Sequence, residues 1–286
     1  MAVTAKEVNA LRKKTGAGMM DCKKALVEAD GDMDKAIDLL RKKGAAVAAK
    51  RADRAANEGV VATSVSEDGT FGAMVEINCE TDFVAKSDDF VAFADEVLNE
   101  VVAAKAKDVD ELFAKNPKLK DRLEEVTGKV GEKTEINRVA SVEVPNGVVV
   151  DYIHLGSKLG VLVMIDGAPA DKKDAYQSAG KDVAMQIAAM SPLAVDRGGV
   201  PKDVVEKEME VYREMAVKEG KPEKIVDKIA QGRLNKFYEE NCLLEQAYIK
   251  DNAVSVREFL EGFNKEHGAE ATITDFLRFQ LGENEE

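Results

Sequence analysis

The chain has 286 residues, enough for two or more modules with separate cores, and its 45% hydrophobic and 33% charged content with only six prolines excludes a disordered or fibrous chain. A net charge of −13 argues against nucleic acid or an anionic membrane as the main partner, because phosphate binding needs an excess of Lys and Arg. The lack of tryptophan and an aromatic content of 5% argue against a carbohydrate or base-stacking platform.

Residues 4–15 open on a capping box, in which Thr4 caps a free amide that Glu7 reciprocates, and Val8 and Leu11 supply an apolar stripe; the pattern predicts a helix. Gly16 and Gly18 break it, residues 19–29 carry a second helical pattern, and Asp32 caps a third helix running to Lys43 before Gly44. Residues 1–54 hold 13 basic and 8 acidic side chains, a net +5 that leaves −18 for the remainder, so a small basic three-helix module is joined to an acidic body. The Ala, Lys and Arg segment at 45–57 has helix propensity without an apolar stripe and reads as a helical linker.

From Glu58 the period changes. GVVATSVSEDGTFGAMVEINC holds two β-rich runs around Asp68-Gly69, a hairpin signal, and residues 88–105 follow as a helix with Phe90, Phe93, Ala94, Val97 and Val101 on one face. ASVEVPNGVVVDYIHLGSKLGVLVMI then predicts strands with a turn at Asn146-Gly147, and residues 175–190 predict a helix presenting Val183, Ile187 and Met190. The matching order, MVEINCETD then FVAFADEV against VLVMIDGAP then KDVAMQIA, points to two related α+β subdomains.

Residues 203–219 place Val205, Met209, Tyr212 and Ala216 at alternating four- and three-residue spacing. Gly220-Lys221-Pro222 breaks the run, after which Val226, Ala230, Leu234 and Phe237 resume it, predicting an antiparallel helical hairpin that projects from the body. SVREFLEGFNKEHGAEATITDFLRFQLGENEE reads as a helix, a short turn and a final apolar segment with an acidic frayed tail. The expected fold class is α+β: a three-helix domain with its linker at 1–54, core subdomains at 55–140 and 141–264 with the hairpin inserted at about 200–240, and a C-terminal helical segment at 265–286.

A self-contained chemical site is not legible. His154 and His267 are far apart and outside zinc-ligand spacing, and a lone His near a strand end is more often a surface or hydrogen-bonded residue than a ligand. GAGMMDCKKAL lacks the spacing of a phosphate-cradling loop. Asp30, Asp32 and Asp34 alternate like a calcium loop, but Lys35 replaces its turn glycine and Arg41 its bidentate Glu, so a helix cap is the better reading. Glu76, Glu80, Asp82, Asp88 and Asp89 are expected to form a solvated acidic face rather than an acid/base pair. Cys22, Cys79 and Cys242 are odd in number and scattered, which predicts neither a disulfide framework nor a metal knuckle. No enzyme, metal or cofactor is therefore expected. MAVTAKEV lacks the apolar run of a signal peptide and no later stretch stays apolar long enough to span a bilayer, so a cytoplasmic protein is expected.

Two segments, LRKKTGAGMMDCKKAL at 11–26 and VEINCETDFVAK at 75–86, closely resemble the signature regions of the bacterial-type elongation factor Ts family. The resemblance continues in the family's order through HLGSKLGVLV, GKPEKIVDKIAQGRLNKFYEE, LLEQAYIKD and ITDFLRFQLGE, and so covers essentially the whole chain. It implies a ubiquitin-associated-like N-terminal domain, two α+β core subdomains, a coiled-coil hairpin and a C-terminal segment. The implied function is guanine-nucleotide exchange on elongation factor Tu during translation elongation, by binding its GDP complex and disturbing the magnesium and phosphate contacts, with no nucleic acid or membrane bound directly.

Carried over by the resemblance, Thr81, Asp82, Phe83 and Val84 match the element linked to magnesium dislocation, with Phe83 as the wedge. Phe83 reads otherwise as a core aromatic at a strand-to-helix turn, although the charges in CETDFVAKSDD favour an exposed loop. Arg12, Met19, Met20 and Lys23 match positions where the N-terminal module touches the partner; two adjacent Met cannot both face inward on a helix, so at least one is expected at the surface. His154 and Ile249 match further contact positions. The hairpin is left open between self-association, partner contact and neither, and a homodimer or a heterotetramer with elongation factor Tu are the assemblies open to the chain. The alternative function is a pure binding or chaperone-like module.

Overall fold

The computed structural model describes residues 3–283; the last three residues of the acidic tail, 284–286, and the first two of MAVTAKEV lie outside the described residues. Helices α1 (Ala5–Thr15), α2 (Met19–Glu28) and α3 (Met33–Arg51) enclose a small core of Val8, Leu11, Cys22, Ala25, Leu26, Ala29 and Ala36. The Thr4–Glu7 capping box is formed, and the Asp32 carboxylate accepts the Asp34 and Lys35 amides at 3.0 and 3.1 Å, so it caps α3.

The first body unit comprises β1 (Glu58–Val65), β2 (Phe71–Cys79), the single turn α4 (Asp82–Ala85), α5 (Asp88–Ala104), α6 (Val109–Lys115), α7 (Lys118–Val130) and β3 (Thr134–Glu143). The second comprises β4 (Gly147–Ile153), β5 (Leu159–Asp166), α8 (Lys173–Met190), α9 (Lys202–Lys218), α10 (Glu223–Asn241), the short pair β6 (Ala247–Tyr248) and β7 (Asp251–Ser255), α11 (Val256–His267) and β8 (Thr272–Gln280). Each main sheet is antiparallel, in the orders β1-β2-β3 and β4-β5-β8, and each is built as a hairpin followed by helix and then a third strand.

Side chains alternate across these strands and so assign four layers. Val75, Ile77 and Cys79 of β2 face outward onto Phe90, Phe93, Val97 and Val101 of α5. Val161, Val163 and Ile165 of β5 face outward onto Tyr176, Val183 and Ile187 of α8. The intervening residues, including Val61, Met74, Val149, Leu162, Met164 and Phe279, meet between the sheets. The sheets approach closely because glycines stand at the contact: a Cβ on Gly72 would lie 2.6 Å from a Val149 methyl, and one on Gly160 2.5 Å from a Val61 methyl.

Three expectations are corrected. First, α3 does not stop at Gly44 but continues to Arg51, absorbing much of the predicted linker. Gly44 serves a helix crossing rather than a cap, since a Cβ on Gly128 of α7 would stand 2.6 Å from the Gly44 Cα. Second, the expected C-terminal helical segment is not helical beyond His267 through residue 283, the last described residue. The helix ends at His267 with Gly268 left-handed, and TITDFLRFQ is a strand pairing with β5 from Leu159↔Gln280 to Asp166↔Thr272. Its β-branched and aromatic residues suit a pleated surface. Third, the turn at Asn146-Gly147 joins β3 of the first sheet to β4 of the second, so the first sheet extends to Glu143 rather than to residue 140.

Helices α9 and α10 are joined through four residues, 219–222, which obliges them to run antiparallel. Ala216, Val226, Ala230 and Leu234 are buried along their contact, and Arg213–Asp227 and Arg233–Glu219 ion pairs, at 2.7 and 2.6 Å, flank it.

Candidate functional site

β2 makes its last ladder pair at Cys79↔Thr134, and the chain then turns through Thr81 into α4. A four-residue helix has no stability of its own, because nucleating one turn fixes several dihedrals for very few hydrogen bonds. Its geometry therefore comes from its anchors. Thr81 is extended, with its hydroxyl oxygen accepting the Val84 amide at 3.4 Å and its carbonyl accepting the Ala85 amide at 3.1 Å and the Cys79 thiol at 3.2 Å. The Thr81 amide and hydroxyl both donate to Glu132, at 3.0 and 2.8 Å, so every polar group of the residue is engaged.

On that base Val84 packs half-buried on the core beneath β2, while Phe83 points outward and is 83% exposed. The core-aromatic alternative for Phe83 does not hold. Asp82 forms a 2.7 Å ion pair with Lys86; hydrogen bonding to that ammonium holds its carboxyl below the usual range, the Lys158 charge contributing, and Asp82 in turn raises Lys86.

Lys158 belongs to the turn between β4 and β5 and pairs with Glu58 at 2.6 Å, which brings that turn beside α4. At its tip Leu155 is 91% exposed. His154 is exposed with Nδ1 2.9 Å from the Tyr152 hydroxyl, and it lines a hollow of about 300 Å³ with Tyr152, Leu159, Met185, Ala188 and Ile249. His154 and Ile249, remote in sequence, thus meet. The loop carrying Ile249 is held by a buried amide: Gln186 accepts the Ile249 N–H at 2.7 Å and donates to Gln246 and the Ala247 carbonyl, each at 3.1 Å.

Arg12, Met19, Met20 and Lys23 stand on α1 and α2, all exposed, with Met20, Lys23 and the exposed Val27 along one helix face. Both methionines face outward. This group is separate from α4, but the module bearing it is tied to the same corner: Arg51 and Arg54, at the end of α3 and just beyond, donate to Glu80 at 2.6 and 3.2 Å.

The acidic run is not a solvated face throughout. Glu76 is completely buried against Arg138, and Glu80 is half-buried beneath Arg51 and Arg54. Burial pushes the Cys79 and Cys242 thiols up to about 12 and about 11, keeping both protonated and unreactive at neutral pH. His267 packs against the Phe263 ring at 4.3 Å. Among the described residues no group of three or more His, Cys, Asp or Glu could hold a metal ion, and no helix is long and apolar enough to cross a membrane. Sequence reasoning missed Glu132, Gln186 and Leu155; Glu132 lies 51 residues from Thr81, and no local pattern announces such a contact.

A family model described as Elongation factor TS matches residues 80–283. Proteins called Elongation factor Ts from Chlorobium phaeobacteroides (strain BS1) and Chlorobaculum parvum are each 47% identical over 98% of this chain and 99% of their own length. One of the same name from Clostridium botulinum is 46% identical over 98% of this chain and 93% of its own.

Proposed function

The chain belongs to the elongation factor Ts family, and from that membership we propose that it is a guanine-nucleotide exchange factor acting on elongation factor Tu in the cytoplasm, with no chemistry of its own. One observation carries the reading: Phe83, large, apolar and 83% exposed, stands on a turn whose anchoring residue has all its polar groups hydrogen-bonded. An aromatic this exposed keeps a large apolar surface free to bury against a partner, and a rigidly held one loses little entropy on docking.

In the proposed mechanism Phe83 inserts between helices of the GTPase while Asp82 competes for polar contacts near its magnesium. Arg12, Met19, Met20 and Lys23 hold the GTP-binding domain, and His154 and Ile249 add a second contact through their shared hollow. The three-helix unit is read as a ubiquitin-associated-like domain and α9–α10 as a coiled-coil hairpin. Exchange follows from binding nucleotide-free elongation factor Tu more tightly than its GDP form; equal affinity for both would shift nothing. GTP and then aminoacyl-tRNA displace the factor.

Release of fluorescent GDP from elongation factor Tu, timed with and without this chain, is the test. A faster release is expected, and an unchanged rate would sink the exchange-factor reading.

A further inference from the structure

We propose that Glu132 is a positioning residue for exchange, holding α4 in the orientation that presents Phe83; the inference rests on the exchange-factor reading and adds a residue outside the resembling motif. At the point where β2 and β3 part beyond Cys79↔Thr134, the two chains trade carboxylates. Glu80 accepts the Lys133 amide at 2.7 Å, and Glu132 accepts the Thr81 amide at 3.0 Å. The exchange closes the frayed end of the sheet as a clasp, side chain to backbone in both directions.

The two halves of the clasp face different ways. Glu80 is loaded on its outer side by Arg51 and Arg54, so it ties the corner to α3. Glu132 has its second oxygen on the Thr81 hydroxyl at 2.8 Å, so it ties the corner to the cap of α4. A carboxylate taking both donors of one residue fixes that residue's position and its side-chain rotamer together, and charge-assisted bonds of this kind are the stronger ones. Thr81 so fixed offers its hydroxyl oxygen to Val84 and its carbonyl to Ala85, the bonds that define the turn. Without Glu132 the turn keeps its core contacts through Val84 and Ala85 but loses the two charge-assisted bonds that fix Thr81 as its cap, and one turn has little helical stability of its own to hold that end. Phe83 would then sample many orientations, and ordering it would fall to the encounter with the partner.

The role is separable from folding by two readouts on the full chain. The maximal rate of fluorescent-GDP release at saturating factor, per folded molecule, is expected to fall about tenfold in Glu132→Ala, as slight misplacement of a docking group does. It is expected to fall less in Glu132→Gln, whose one remaining oxygen can accept only part of the pair. In the free variants, amide hydrogen exchange at Thr81, Val84 and Ala85 is expected to quicken while that of α5 stays unchanged. Faster local exchange with an undiminished saturating rate overturns the positioning role, and unchanged local exchange overturns the clasp. If Glu132→Ala does not fold, the same two readouts on Glu132→Gln decide. A wild-type chain that leaves GDP release unchanged refutes the exchange-factor reading itself, whereas a working wild type with an equally active variant refutes only the part given to Glu132.

Discussion

Arg138 lies across the seam between the two sheets and neutralises Glu76, a carboxylate with no solvent exposure: its Nε and Nη2 reach Glu76 Oε2 at 2.7 and 2.5 Å. Nη2 also donates to the Gln280 carbonyl of β8 at 3.0 Å, and the guanidinium sits 4.4 Å over the Phe279 ring. A β-bulge sets this up. The register passes from Glu76↔Arg138 to Ile77↔Ile136, leaving Asn137 extra, and its amide donates to the second Glu76 oxygen at 3.1 Å.

Removing one partner of a buried ion pair leaves an uncompensated charge, whereas replacing both with apolar groups can be nearly neutral. Arg138→Met is therefore expected to cost about 3 to 5 kcal/mol of folding stability. The pair Glu76→Leu with Arg138→Met should recover at least half of it. Urea denaturation of the three proteins measures both; an Arg138→Met as stable as wild type would show that the seam does not need this charge.

The helix crossing at Gly44 and Gly128 gives a prediction of opposite sign to ordinary helix propensity. Alanine normally stabilises a helical glycine position by roughly 0.5 to 1 kcal/mol. Gly232 in α10 has open space at its missing Cβ, so Gly232→Ala should follow that rule. At Gly128 the new methyl meets the Gly44 Cα at 2.6 Å, and overpacking of this kind costs about 1 to 3 kcal/mol. Gly128→Ala should destabilise, with hydrogen exchange quickening first in α3 and α7. If both substitutions stabilise, the two helices are not held at this glycine contact.

What could be read from the residues was local. The Thr4–Glu7 capping box and the Phe90–Val101 stripe each lie within one helix, and the Asp68-Gly69 hairpin joins two strands adjacent in sequence. Gly44 misled because glycine ends helices through its backbone freedom but permits crossings through its missing side chain, and only the partner helix tells which. The final strand was missed as one because strand character in TITDFLRFQ is settled by an open edge on β5, a hundred residues earlier. Phe83 was ambiguous for a related reason: its exposure depends on how Glu132 turns the chain at Thr81.

The hairpin turn between β1 and β2 supplies a pH test. Hydrogen bonds from the Ser66 hydroxyl and from the Thr70 amide and hydroxyl bring the Asp68 carboxyl down to about 2. A depressed acid contributes its stabilisation fully above its unfolded value, near 3.8 here, and loses it as pH falls through the folded value. The Thr70 amide should thus be indifferent to pH between 5 and 8 and lose protection only in acid between about 4 and 2. A carboxyl-carbon NMR titration of Asp68 with a midpoint near 4 would remove the turn network from the account.

Phe83→Ala separates interface from core most directly. A core phenylalanine truncated to alanine costs about 3 to 5 kcal/mol of stability, whereas a surface change away from special features usually stays within about 0.5 kcal/mol. With its side chain 83% exposed, Phe83 should follow the second rule, and the thermal midpoint should barely move. If it is the group that enters elongation factor Tu, its loss removes a hot-spot aromatic worth ~2 kcal/mol, and GDP release at subsaturating factor should fall roughly 30-fold. Phe83→Leu, which keeps apolar bulk but not the ring's reach, should fall between. Equal loss of stability and exchange would return Phe83 to the core reading, while unchanged stability with unchanged exchange would move the partner contact away from α4 altogether, because no other residue of that turn presents a large apolar group to solvent.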